Sequence, residues 1–195
     1  MEDERPVVTI YGERVALGPL RPELYALHTR WVNDNEVGWN LFGLPQTRTL
    51  QQESEWLDAG LQDPHSVYFL IYAQDRWRPI GVTSLTEIDF RRGTATFRIM
   101  IGESGDRGKG FGTEVTRLVL EHAFNVLGLH NIMLKVFGFN IAGQRAYMKA
   151  GFHVIGRRRE CVPRDGKLWD EIFMECLSTE FTVPPSPGVG ATGGW

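Results

Sequence analysis

The run Arg107-Gly-Lys-Gly-Phe-Gly112 places glycines at alternate positions between an apolar segment ending at Ile101 and an amphipathic segment opening at Thr113. A glycine-dense turn at a helix start leaves consecutive backbone N–H groups unobstructed, and the helix dipole adds partial positive charge there. Such a turn suits phosphate oxygens, and Arg107 and Lys109 are placed to add charge-assisted contacts. Spacing separates the ligand classes. A P-loop needs Ser or Thr after its Gly-Lys pair, but Gly110 follows Lys109, and a dinucleotide fingerprint needs a glycine where Thr113 stands. Nucleoside triphosphate hydrolysis and hydride transfer are therefore not expected.

Around this turn the chain reads as alternating strands and helices. Residues 7–17 read as a strand interrupted at Gly12, and residues 25–32 and 47–62 as amphipathic helices joined by a loop over residues 37–45. Residues 67–73, 79–88 and 94–101, with short polar connectors, read as an antiparallel meander. A helix over 113–127 stops at Gly128, followed by a strand over 131–137, a helix from Asn140 to about Ala150, and strands near 152–161 and 169–177. This is an α/β chain with a mixed sheet. Its 195 residues suit one domain over 1–182. Residues 183–195, rich in Pro and Gly, are expected to form a flexible tail.

The formal net charge of −3 supplies no excess of cations for nucleic acid or an anionic membrane. Arg91-Arg92 and Arg157-Arg-Arg159 read as solvated faces. Two cysteines, Cys161 and Cys176, form no disulfide framework or metal spacing, and the five histidines show no ligand spacing, so no metal is expected. An acidic N-terminal stretch and the lack of a membrane-length apolar run give the expectation of a cytoplasmic protein.

A second motif, Asn140-Ile-Ala-Gly-Gln-Arg-Ala-Tyr147-Met-Lys-Ala-Gly-Phe152, sets Asn140 and Tyr147 two helical turns apart, on one face. Together with Arg107-x-x-Gly110-x-Gly112 it resembles the paired motifs of the GNAT superfamily of N-acetyltransferases. The layout of residues 17–181 is similar to the subgroup of ribosomal-protein alanine N-acetyltransferases, and less closely to spermidine and aminoglycoside acetyltransferases. The resemblance implies a mixed, mostly antiparallel sheet flanked by about four helices, with the strands at 94–101 and 131–137 splayed apart. It implies acetyl-coenzyme A as co-substrate, its pyrophosphate on Arg107, Gly108, Lys109, Gly110, Phe111, Gly112 and Thr113. Its pantetheine arm would lie against Ile99, Met100 and Ile101, with the acetyl end near Asn140 and Tyr147.

In the implied reaction an amine attacks the thioester directly. Tyr147, protonated at pH 7, is the expected acid for the leaving thiolate; Gly143 stands where the subgroup often carries Ser or Ala, so no hydroxyl is available there. Glu87 is the first choice of general base, with Asp89 and Glu171 also placed on the acceptor side. Trp39 and Phe42, read as loop residues, are the expected acceptor contacts, whereas Trp31 and Trp56 read as core. The acceptor expected is a peptide or protein N-terminus, whose α-amine needs less help from a base than a lysine or polyamine. A small-molecule acetyltransferase and a non-catalytic coenzyme A sensor are the alternatives. A homodimer is compatible with the fold by analogy alone.

Overall fold

The computed structural model describes residues 5–182; the proposed tail at 183–195 lies outside the described residues. Eight strands, β1 (Ile10–Tyr11), β2 (Val15–Pro19), β3 (Val67–Ala73), β4 (Arg78–Asp89), β5 (Thr94–Ile101), β6 (Asn131–Phe137), β7 (His153–Arg164) and β8 (Lys167–Leu177), share one sheet. Their order is β1-β2-β3-β4-β5-β6-β8-β7. All neighbours are antiparallel except β5 and β6.

Alternation along the central strands divides the apolar residues between two faces. Phe69, Ile71 and Ala73 of β3 and Phe97 of β5 join Val115, Val119 and Leu120 of α4 (Phe111–Asn125) in one core. Leu70 and Tyr72 of β3 and Met100 of β5 join Tyr25, Trp31 and Val32 of α1 (Tyr25–Val32) and Leu57 of α3 (Leu50–Gln62) in the other. Trp31, 2% exposed, is core as its spacing indicates. Both faces of β3 are therefore covered, which is why its sequence is a continuous apolar run.

The segment expected to be a loop is instead a helix, α2 (Asn35–Phe42). Asp34 caps it by accepting a 3.0 Å hydrogen bond from the Val37 N–H, and Gly43, at φ 75°, ends it in the left-handed conformation. Only Val37 and Gly38 are buried along its eight residues, too few to give a readable period. With α5 (Ile141–Ala150) there are five α-helices among the described residues, one more than expected. The helix α4 starts at Phe111, two residues earlier than its apolar spacing suggested, because Gly110 at φ 87° occupies the N-cap.

The parallel pair carries the feature that positions the site. β5 and β6 are in register only over Thr94–Asn131, Ala95–Ile132 and Thr96–Met133. Beyond Thr96 the strands part. Residues 97–101 of β5 keep β4 on one edge, through Gly81 to Leu85, and have no strand on the other.

Candidate active site

The opening between β5 and β6 leads into a cleft of about 610 Å³. Ile99, Met100 and Ile101 line it together with Asp106, Arg107, Gly108, Gly110, Gly112 and Thr113 of the loop and helix start and Asn140, Gly143 and Tyr147 at α5. The structure thus brings the two sequence motifs to one cavity. The expected Lys109 and Phe111 are not in its lining, and Phe111 packs against the core.

The loop is held by ion pairs that leave its backbone free. Asp106, 3% exposed, accepts two hydrogen bonds from the Arg78 guanidinium and one of 3.2 Å from Lys109 Nζ. The Arg78 hydrogen bonds above all hold its carboxyl below the usual range, so it is ionised at neutral pH. Arg107 donates to the Ile101 and Gly102 carbonyls at 3.1 and 3.0 Å and pairs with Asp34 and Glu36 of the α2 cap. Both basic side chains are engaged by the protein itself, in roles that stiffen the loop. Arg14, which the sequence reading did not single out, ties the loop to the first hairpin by donating to the Lys109 carbonyl at 3.0 Å and pairing with Glu114 at 3.1 Å.

The glycines differ in what requires them. Gly108 and Gly110 have φ of 75° and 87°, a region costly for residues with a side chain. Gly112 lies inside the helix, and a Cβ added to it would meet no atom within 4 Å. Nothing in the polypeptide demands a glycine there, whereas an anion drawn against the first turn of α4 would. The Gly110 N-cap offers no side-chain acceptor, so the first N–H groups of this helix remain available. These features fit the pyrophosphate of coenzyme A. The strand edge from residue 97 to 101, lacking a neighbour, fits an extended amide-bearing arm.

Tyr147 stands at the inner end of the cleft, its ring edge-on to Phe97 at 6.2 Å and to Phe152 at 6.1 Å between centroids. Burial pushes its phenol up to about 12, and its hydroxyl has no hydrogen-bond partner among the described residues. It is a protonated donor facing the cavity. Asn140 caps α5 by accepting a 2.8 Å bond from the Gly143 N–H. A Cβ on Gly143 would come within 2.9 Å of the Asn140 side chain, so this cap geometry suits glycine.

A second, smaller cavity of about 50 Å³ shares Ile99, Met100 and Leu41 with the cleft. Its walls are Val32, Leu41, Phe42, Trp56, Tyr68, Val82 and Met100, with the polar groups of His28, Arg48, Glu53, Ser84 and Arg98. Glu53 is 1% exposed; its oxygens lie 3.1 Å from His28 Nδ1 and 3.1 Å from Arg48 Nη1. The His28 contact is off the line of a directed hydrogen bond. Burial pushes the Glu53 carboxyl up, but His28 and Arg48 together outweigh it and the net shift is downward.

Several expected acceptor-side residues are elsewhere. Glu87 sits in a bulge of β4 after Thr86, at φ 55°, exposed and accepting a 2.7 Å bond from Thr96 Oγ1; it lines neither cavity. Asp89 closes the β4–β5 turn by accepting from the Arg91 and Arg92 N–H groups. Glu171 pairs with Lys135 at 3.4 Å, across the β6–β8 ladder. Trp39 packs on Phe139 beneath Arg164, outside both cavities, whereas Phe42 lines the second. Trp56, expected in the core, is 42% exposed and forms a cavity wall. The sequence did carry a signal for Glu53. It lies three residues after Leu50 and four before Leu57, on the apolar face of α3, where an isolated carboxylate needs partners.

Comparison with known proteins decides the family, since a GNAT acetyltransferase domain matches residues 14–153. The chain belongs to the GNAT acetyltransferases. This family uses acetyl-coenzyme A, so the molecule is an acyltransferase. Among its relatives is the SPbeta prophage-derived uncharacterized N-acetyltransferase YokL of Bacillus subtilis, 25% identical over 88% of this chain and 94% of that one. The alpha/beta-tubulin-N-acetyltransferase 9 of Mus musculus is 25% identical over 73% of this chain and 63% of its own length. In fold, this GNAT acetyltransferase superposes on spermidine N-acetyltransferase from Vibrio cholerae, solved with CoA and spermine. The TM-score is 0.78 at 22% identity, covering 87% of this chain and 98% of that one.

Proposed function

We propose that this acetyltransferase acts on the α-amino group of a peptide or protein N-terminus, as its resemblance to the ribosomal-protein alanine N-acetyltransferase subgroup suggests. One observation carries the reading. The carboxylates lining the two cavities are Glu36, Asp106 and Glu53, and each is held by a cation: Arg107, Arg78 with Lys109, and Arg48. Among the described residues, no unpaired carboxylate lines either cavity to anchor a polycation or to act as a strong base. An α-amine, with pKa near ~8 against ~10.4 for a lysine, supplies a reactive neutral fraction at pH 7 without one. The relative named for tubulin acetylation also has a protein acceptor.

Acetyl-coenzyme A brings the acetyl group as a thioester already activated toward amines. The chain's part is to fix that group between β5 and Tyr147 and to manage the proton. The acceptor nitrogen forms the new amide bond, the C–S bond breaks, and the proton lost by nitrogen ends on the thiol. A phenol near 12 lies above an ordinary thiol at ~8.5, so Tyr147 acts as a hydrogen-bond donor that stabilises developing charge on sulfur, rather than as the net source of the proton. Cytoplasmic residence belongs to the same proposal.

The test is acetyl-coenzyme A-dependent thiol release with short peptides, polyamines, aminoglycosides and free amino acids as acceptors. Turnover of the peptides is expected. Turnover confined to polyamines or aminoglycosides would overturn the reading in favour of a small-molecule enzyme, and cofactor binding with no acceptor turned over would favour a sensor.

A further inference from the structure

Strand alternation puts Arg98 and Met100 on one face of β5, opposite Phe97 and Ile99. Arg98 therefore lines the second cavity, as an exposed residue, at the point where β5 has lost β6 and next to the Ile99–Met100 wall shared with the larger cleft. Its guanidinium makes no ion pair or side-chain hydrogen bond among the described residues, unlike Arg48, whose charge is spent on Glu53. Arg48, Arg98 and Glu53 leave the cavity with an excess of one positive charge when His28 is neutral. The rest of the lining is apolar and aromatic, and the space is sized for a short side chain.

We infer that this cavity takes an α-amine whose neighbouring carboxylate or carbonyl oxygen is bound by Arg98 and whose apolar side chain lies against Phe42, Trp56 and Leu41, and that Arg98 is the residue that rejects polycationic amines. The inference rests on the acetyltransferase reading and deepens it. Two arguments favour it. Arg98 is exposed on β5 and has no carboxylate partner among the described residues, so its guanidinium is free to take an acceptor oxygen in a charge-assisted pair, and an α-amine always has one two bonds away from its own carbon. A polyamine has no such oxygen and would bring further positive charge toward Arg98 and Arg48.

The decisive experiment measures kcat/KM for four acceptors: a short peptide beginning Met-Glu, one beginning Met-Lys, free methionine and spermidine. Each is run with the wild type, Arg98→Glu and Arg98→Lys, and coenzyme A binding is followed separately for each protein. In the wild type the oxygen-bearing amines should exceed spermidine by about 100-fold. Arg98→Glu should lower them by about tenfold and raise spermidine by a similar factor, while Arg98→Lys keeps the wild-type order, the scale of effect that close charge pairs show. Methionine faster than both peptides would assign the bound oxygen to a free carboxylate; faster peptides would assign it to the chain carbonyl. Spermidine as the best wild-type acceptor, or an unchanged ratio in Arg98→Glu, overturns the inference. No thiol release from any of the four, with coenzyme A still bound, overturns the underlying acetyltransferase activity on amines as well.

Discussion

The two cavities that share Ile99 and Met100 are built by different means. The cofactor cleft is made of backbone: a glycine turn, the first N–H groups of α4 and an unpaired strand edge. Charged side chains of the loop are turned on their neighbours to hold that backbone in place, Arg78 and Lys109 on Asp106, and Arg107 on Asp34 and Glu36. The smaller cavity, where we place the acceptor, is lined by residues drawn from α1, α2, α3, β3, β4 and β5. A backbone-built site suits a ligand that never changes, because amide groups are the same whatever the sequence. A side-chain-built site suits a ligand that differs from one enzyme to the next, since single substitutions alter its shape and charge.

The sharpest way to break this contrast is at Gly112. Its backbone tolerates a side chain and an acidic residue in the first turn of a helix favours the helix, so Gly112→Asp should keep the wild-type melting temperature. Coenzyme A affinity should fall by about 1,000-fold, because a like charge is pressed against the pyrophosphate. Calorimetric titration measures it, and unaltered affinity would remove the helix start from the cofactor site.

Tyr147→Phe probes the junction of the two cavities. It should lower kcat by about 100-fold and leave coenzyme A affinity unchanged. The wild-type phenol, raised to about 12, stays protonated far into base, so kcat/KM should rise as the acceptor amine loses its proton and show no decline from phenol ionisation below about pH 11. A decline centred near pH 9 to 10 in wild type that vanishes in Tyr147→Phe would contradict the shifted phenol.

At the smaller cavity, Glu53→Gln should lower stability at pH 7 by about 2 kcal/mol through the loss of the charge-assisted contact to Arg48. The sign with pH follows from the lowered carboxyl. Its contribution is present above the ordinary value of 4.5 and is lost as pH falls through the folded-state value, so wild type and variant should converge in acid. Denaturant unfolding at pH 7 and in acid checks this. The smallest effect is expected at Glu87. Glu87→Gln should leave kcat and KM within twofold of wild type, since its carboxylate bonds Thr96 outside both cavities; a large fall in kcat would restore it as a base.

How far the sequence could be read follows the same division. The cofactor loop was legible because contiguous glycines at 108, 110 and 112 encode a backbone shape, and the Asn140–Tyr147 spacing encodes one helix face. The smaller cavity was not, because His28, Arg48, Glu53, Trp56, Tyr68 and Arg98 are brought together only by the folded sheet. Trp56 sits at helical spacing and so read as core, yet the spacing fixes a face and not the depth of cover over it. Glu87 read as facing the acceptor from its place near a strand end, and the bulge after Thr86 redirected it. The helix α2 escaped because only two of its residues are buried.

The central claim is that acetyl transfer occurs where the two cavities meet, with coenzyme A in the cleft and the acceptor on the far side of β5. A crystal structure with a conjugate of coenzyme A and a Met-Glu dipeptide, joined through an acetyl bridge, tests it most directly. The account predicts diphosphate against residues 108–113, the bridge passing between Ile99 and Tyr147, and the methionine side chain against Phe42 and Trp56. A conjugate whose dipeptide lies back in the open cleft, with the cavity around Arg98 untouched, would contradict it.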